Sequence, residues 1–199
     1  FLNMNSNNNS SENVIKRVGI IGRFTEQKGH VYFVEAAARV VQSFKTIQFI
    51  FVGDGLLRPM IERIAEDHGI GEYCHFLGTR PDVGEILQTF DILVLSSLWE
   101  GMPITLLEAQ YFGIASVATK VGGNPEIIKD GYNGLLVPPR DPEALSVAIL
   151  RLASDDELRK RLGRHAKEIF SQKFTIEQMA DKYHNLILAN LQCKGLLSK

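Results

Sequence analysis

Cysteine is scarce in this 199-residue sequence: two occur, Cys74 and Cys193, far apart and without C-x-x-C spacing. That count offers no disulfide framework and no cysteine zinc site, and it suits a reducing compartment. Long apolar runs are missing too. None exceeds five residues, Ile92–Leu95 being typical, far short of the ~20 that span a bilayer. No charged-then-apolar leader opens the sequence as given, so a cytoplasmic protein is expected. Neither sign of charge dominates, with 22 Lys+Arg against 23 Asp+Glu and a net charge of −1. A nucleic-acid partner, whose affinity comes from neutralising several phosphates, is therefore not expected. Catalytic signatures are also lacking. His30, His68, His75, His165 and His184 show neither HExxH nor another close metal spacing, and no D-x-D pair occurs. We expect no bound metal. No G-x-S-x-G or Cys–His arrangement supports nucleophilic catalysis.

What is present is an ordinary globular balance, 45% apolar and 23% charged, long enough for one domain with a sizeable core. The opening FLNMNSNNNSSEN is rich in Asn and Ser and has too little apolar surface to offset chain entropy. Residues 1–13 are expected to be a disordered lead-in or an interdomain linker, 14–192 one domain, and 193–199 a flexible tail. Short apolar runs follow: Val18–Ile21, Phe49–Val52, Cys74–Leu77, Ile92–Leu95, Ser116–Ala118 and Leu135–Val137. Most are continuous rather than alternating, as strands buried on both faces should be. Amphipathic stretches lie between them, such as Val31, Val34, Ala38 and Val41 at helical spacing. Strand and helix alternating about five times predict an α/β fold, a Rossmann-like doubly wound parallel sheet of about six strands with helices on both faces. After Val137 only helices are predicted, over Pro142–Ser154, Glu157–Ser171 and Thr175–Leu191. Asp141-Pro142-Glu143 and Asp155-Asp156-Glu157 read as starts of the first two, and Thr175 with Gln178 as a capping box for the third. The last carries an apolar stripe through Ile176, Met179, Tyr183 and Ile187.

In an open parallel sheet the loops beyond the carboxyl ends of the strands carry the ligand site. Gly22 to Gly29, with Arg23 and Lys28 between its glycines, reads as an anion cradle at a helix N-terminus or as a solvated basic loop. Gly53-Asp54-Gly55 lacks the rest of a dinucleotide fingerprint and reads as a tight turn. Glu100 and Glu108 stand eight residues apart. Thr105-x-x-Glu108 reads as a capping box with Glu108 in the first helical turn, whereas Glu100 is a loop acid able to accept hydrogen bonds from hydroxyls. Gly122-Gly123-Asn124-Pro125-Glu126 reads as helix initiation with Asn124 at the N-cap.

Taken together these loops resemble the C-terminal, donor-binding lobe of retaining GT-B glycosyltransferases of the family-four group (glycosyl transferases group 1). The likeness runs from about Val18 to Phe174, through GRFTEQKG at 22–29, VGDG at 52–55, FLGTRPDV at 76–83, EGMPITLLEAQ at 100–110, VATKVGGNPEII at 117–128 and DGYNGLLVPPRDPEAL at 130–145. It implies one lobe of a GT-B fold that moves a sugar from a nucleoside-diphosphate donor to an acceptor, glycan or glycolipid. Arg23 and Lys28 match the donor-diphosphate cations, Glu100 the acid on the transferred sugar, and Glu108 the acid on the ribose. Gly22, Gly101 and the main chain of Met102, Pro103, Ile104, Thr105 and Leu106 fall beside phosphates and sugar, and Thr79 and Arg80 beside the base. The family's usual aromatic after Glu-Gly is here Met102-Pro103. No cofactor and no metal are implied. The partners implied are the nucleotide-sugar donor and an N-terminal acceptor-binding domain, which would also make any peripheral contact with the inner membrane face. The fragment alone is then expected to be inactive, and its final helix, crossing to the other domain, to leave its apolar stripe partly exposed. A sugar-nucleotide epimerase or phosphorylase on the same fold, or a non-catalytic sugar-nucleotide module, remain the alternatives.

Overall fold

A computed structural model describes residues 15–193. The expected lead-in at 1–13 and, of the expected tail at 193–199, residues 194–199 lie outside them, while Cys193 is the last residue of the final helix. Six strands form one parallel sheet: β1 (Lys16–Ile21), β2 (Ile47–Val52), β3 (Cys74–Gly78), β4 (Ile92–Leu95), β5 (Ala115–Thr119) and β6 (Leu135–Val137), in the order β3-β2-β1-β4-β5-β6. All six predicted strands are present, extended at their ends by up to two residues. Helices α1 (His30–Ser43), α2 (Arg58–Asp67), α3 (Val83–Gln88), α4 (Ile104–Phe112) and α5 (Asn124–Ile127) connect them. α6 (Pro142–Ser154), α7 (Asp156–Lys173) and α8 (Ile176–Cys193) follow the last strand.

The continuous apolar runs arise because successive side chains enter different cores. Val18 and Ile20, Phe49 and Phe51, and Ile92 and Val94 pack with α1, α2, α6 and the start of α7. Their neighbours Ile21, Ile50, Val52, Leu93 and Leu95 pack with α3, α4 and α5. Burying both faces of a strand leaves no position for a polar residue, so the period-two signal vanishes. Asp141 and Asp155 cap α6 and α7 as predicted, accepting from the main-chain N–H of Ala144 at 2.9 Å and Leu158 at 2.8 Å. Thr175 accepts from the N–H of Gln178 at 3.3 Å, which supplies the forward half of the expected capping box.

Two predicted caps are corrected. α4 begins at Ile104 with Pro103 as its N-cap, so Thr105 lies inside the helix and cannot take the extended backbone a cap needs. Glu108 accordingly sits beyond the first turn and makes no capping hydrogen bond. Asn124 is the first residue of α5, Gly123 being its N-cap. The Asn124 amide is fully buried and donates instead to the Thr119 carbonyl at 2.7 Å. α8 packs only lightly on α7, and Ile176, Met179, Tyr183 and Ile187 are each more than half exposed. No helix among the described residues is long and apolar enough to cross a membrane.

Candidate functional site

The strand order reverses between β1, whose other neighbour is β2, and β4, which leads on to β5. Chains leaving the carboxyl ends of these two strands diverge and open a crevice. Residues 22–29 leave β1 and residues 96–103 leave β4, so the topology alone brings the loop of Arg23 and Lys28 to the loop of Glu100.

The two loops are fastened together by main chain. The Leu98 N–H donates to the Gln27 carbonyl at 2.7 Å, and the Gln27 side-chain amide to the Trp99 carbonyl at 3.1 Å. Ser96, wholly buried, donates to the carbonyls of Lys28 and Gly29, both at 3.0 Å. Gly29 has φ +61°, and a Cβ there would strike the Ser96 carbonyl oxygen. Only glycine allows both that left-handed turn and the close approach.

At the centre of the crevice the Lys28 Nζ meets the Glu100 Oε1 at 2.5 Å. The Ser97 hydroxyl donates to the same oxygen at 2.7 Å. The Glu100 side chain is 6% exposed and that of Lys28 21%, so this is a shielded pair at the floor of an open crevice. The aliphatic part of Lys28 lies over Gly22, within 3.4 Å of where a side chain there would begin. Gly122 and Gly123 support Glu100 from behind. A Cβ on either would collide with the carbonyl oxygen of Glu100 or Gly101, and the Gly123 N–H reaches the Glu100 carbonyl at 3.4 Å. Thr119 adds a hydrogen bond to the Ser97 carbonyl at 2.5 Å.

Arg23 is exposed on the same loop and forms no ion pair among the described residues. Glu108 is exposed and has no hydrogen-bond partner among them, and partial desolvation raises its carboxyl above the usual carboxylate range. Of the main chain at 102–106, the Leu106 N–H is used by the Pro103 carbonyl at 3.1 Å. Gly101, Met102 and Ile104 are exposed, Pro103 is buried, and Thr105 is intermediate. Thr79 and Arg80 stand apart from the ion pair, on the loop after β3. Arg80 is closed on Asp82 by two hydrogen bonds of 2.8 and 2.6 Å. Among the described residues no group of three or more His, Cys, Asp or Glu could hold a metal ion.

Sequence reasoning missed Ser97 and the roles of Thr119, Gly122 and Gly123 behind Glu100. It also missed His30. This first residue of α1 is 2% exposed and stacked on Phe24, ring centroids 4.1 Å apart. Neither ring nitrogen has a partner among the described residues. Burial first, and the Lys28 charge second, push its pKa down to about 4, so a neutral ring braces the loop from below.

A family model described as glycosyl transferases group 1 matches residues 5–169. The chain is 30% identical over 172 residues to a UDP-Gal:alpha-D-GlcNAc-diphosphoundecaprenol alpha-1,3-galactosyltransferase of Escherichia coli. That match covers 85% of this chain and 44% of the relative, so the chain spans under half of that relative's length. A crystal structure of the C-terminal domain of a glycosyl transferase group 1 family protein (LpcC) from Francisella tularensis superposes with a TM-score of 0.75 at 29% identity. It covers 81% of this chain and 87% of that one. Anabaena HepE in complex with UDP and glucose superposes with a TM-score of 0.80 at 25% identity, over 88% of this chain and 48% of that one.

Proposed function

The chain belongs to the glycosyl transferases group 1 family, and we propose that it is the donor-binding half of an enzyme that moves a sugar from a nucleoside-diphosphate sugar to an acceptor with retention of configuration. The observation that carries this reading is the Lys28–Glu100–Ser97 cluster at the switch point of the sheet. A cation and an acid fixed side by side suit a ligand whose phosphate and sugar hydroxyls are adjacent. Lys28, joined by the exposed fork of Arg23, takes the diphosphate. Glu100 accepts from hydroxyls of the transferred sugar. Glu108, free of any capping duty, takes the ribose hydroxyls on this reading. The main chain of Gly101 to Leu106 faces phosphate and sugar at the N-terminus of α4. Arg80 is held by Asp82, so base contacts fall to Thr79 and neighbouring main chain.

Breaking the bond between the anomeric carbon and the diphosphate oxygen leaves negative charge on the departing nucleotide. Fixed cations there favour the transition state over the ground state, and no metal is required for that part. One charged hydrogen bond contributes about 1.5–3 kcal/mol, against at least ~8 kcal/mol for enzymic catalysis. Acceptor positioning supplies much of the rest, and we assign it to an N-terminal domain of the same protein. A lipid-linked or glycan acceptor, reached from the cytoplasmic membrane face, fits the diphosphoundecaprenol in the E. coli relative's name.

Calorimetric titration with UDP, GDP and ADP tests the site. One of the three should bind at sub-millimolar to millimolar concentration, and the paired changes Lys28→Ala and Glu108→Ala should weaken it without unfolding the domain. Absence of binding by all three at millimolar ligand would refute the assignment.

A further inference from the structure

α3 is six residues long, about 9 Å at 1.5 Å per residue, and it must cover strands of about 20 Å. It cannot roof the whole wing formed by β1, β2 and β3. Phe90 fills the space above Gly19, and beyond it a groove of about 620 Å³ remains between α3 and the β2–β3 face. That size falls within the range of small-molecule sites, roughly 300–1,000 Å³. Its walls are mainly apolar, with Ile50, Leu77 and Ile86 along the middle. Leu77 is 42% exposed on this face.

The charges in the groove are unequal in their commitments. Arg80 and Asp82, at its upper end, are closed on each other. Glu85 is exposed on α3 and stays hydrated. Arg17 is different, being half-buried with no ion pair among the described residues. Asp91 accepts the Arg17 main-chain N–H at 2.9 Å and faces Arg159 at 3.5 Å, so its carboxylate is already engaged. Gln48 lies beside Arg17 in the strand register. His75, also in the wall, has its Nε2 buried without a partner among the described residues. A half-buried cation that forms no ion pair among the described residues is costly in such a groove, and an incoming anion relieves it.

We propose that this groove binds a small amphipathic carboxylate, its apolar acyl or aryl body on β2–β3 and its carboxylate on the Arg17 guanidinium. The acids Asp82 and Glu85 on the rim weigh against a polyanion such as a phosphate ester. The groove meets the proposed donor site only at Arg80, which is closed on Asp82; the cations proposed for the diphosphate lie on the loop after β1.

Titration of the chain with decanoate, with decan-1-ol as the matched neutral probe, tests it. Decanoate should bind at least ~10-fold more tightly than decanol, the equivalent of one charge-assisted hydrogen bond. Arg17→Gln should remove that preference, and Leu77→Asp, on a residue already 42% exposed, should abolish decanoate binding with the thermal melt retained. UDP titrations should be unaffected by either. Equal binding of decanoate and decanol, or decanoate binding that survives both substitutions, would overturn the proposal.

Discussion

Glu100→Gln separates the two jobs assigned to the crevice. In the free chain the Lys28 ammonium is held by Glu100 at 2.5 Å, so a diphosphate must share Lys28 with a carboxylate. A hydrogen bond to a charged group is worth about 1.5–3 kcal/mol. If half of that is surrendered on nucleotide binding, Glu100→Gln recovers about 1 kcal/mol and binds UDP roughly fivefold more tightly than the parent. Lys28→Ala should do the opposite and weaken UDP at least tenfold. The sugar-bearing donor reports on the second job. Gln accepts sugar hydroxyls less well than a carboxylate, so the preference for UDP-glucose over UDP should fall about tenfold in Glu100→Gln. Stability gives an independent check. Lys28→Ala leaves a carboxylate, 6% exposed, with only the Ser97 hydroxyl, at a cost of about 3 kcal/mol or roughly 6–12 °C in Tm. Glu100→Gln leaves an ammonium that reaches solvent and should cost less, and the double variant should recover much of the Lys28→Ala loss. Isothermal titration and thermal melts of the four proteins measure all of this. If Glu100→Gln weakens UDP as Lys28→Ala does, the ion pair is not competing with a phosphate and the reasoning fails.

Two further outcomes follow from residues behind the crevice. His30, with its pKa pushed down to about 4, binds fewer protons folded than unfolded, so its stabilisation is complete above pH 6.5 and is lost as pH falls towards 4. That amounts to about 2 kcal/mol between pH 7 and pH 5. His30→Phe keeps the stack on Phe24 and should lose less stability over that interval, read from denaturant melts at each pH; parallel losses in both proteins would rule the idea out. Gly123→Ala drives a Cβ onto the Gly101 carbonyl, so about 1–3 kcal/mol of stability should go, together with affinity for UDP-glucose. Gly101→Ala, which meets nothing within 4 Å, should change stability by no more than about 0.5 kcal/mol, and equal effects of the two would contradict the packing argument.

The fold was legible because its signals are local. Continuous runs such as Ile92–Leu95 mark strands covered on both faces, and Asp141 before Pro142 marks a helix start without reference to anything distant. Thr105 and Asn124 misled for the same reason. Each belongs to a cap-like motif, but α4 starts at Ile104, one residue before Thr105, and the Thr119 carbonyl claims the Asn124 amide. Loop chemistry named Lys28 and Glu100 separately. Their pairing, across 72 residues, depends on which strands are adjacent, and no spacing in the sequence records that. The glycines at 122 and 123 read as helix initiation because their contact, the Glu100 main chain, is remote in sequence. His30 showed only as one of five histidines without metal spacing, and its burial against Phe24 is set by a tertiary contact.

Arg23 and Lys28 leave β1 on one loop yet are kept in opposite conditions, and under the proposed donor-binding role that contrast lets the site persist without its ligand. A shielded cation with no partner would destabilise the fold, so Lys28 is matched by Glu100 and its position is set before any donor arrives. Arg23 stays exposed, where an unpaired charge costs little but rotamer freedom of about 2 kcal/mol must be given up on binding. The fixed charge supplies direction and the free one supplies reach. Counted generously at about 3 kcal/mol each, the two cations reach ~6 kcal/mol, below the ~8 kcal/mol at which enzymic catalysis begins. A charge pair already half-satisfied by its own protein delivers less than that. The more firmly Lys28 is preorganised by Glu100, the more of the barrier must be lowered by how the acceptor is held over the anomeric carbon.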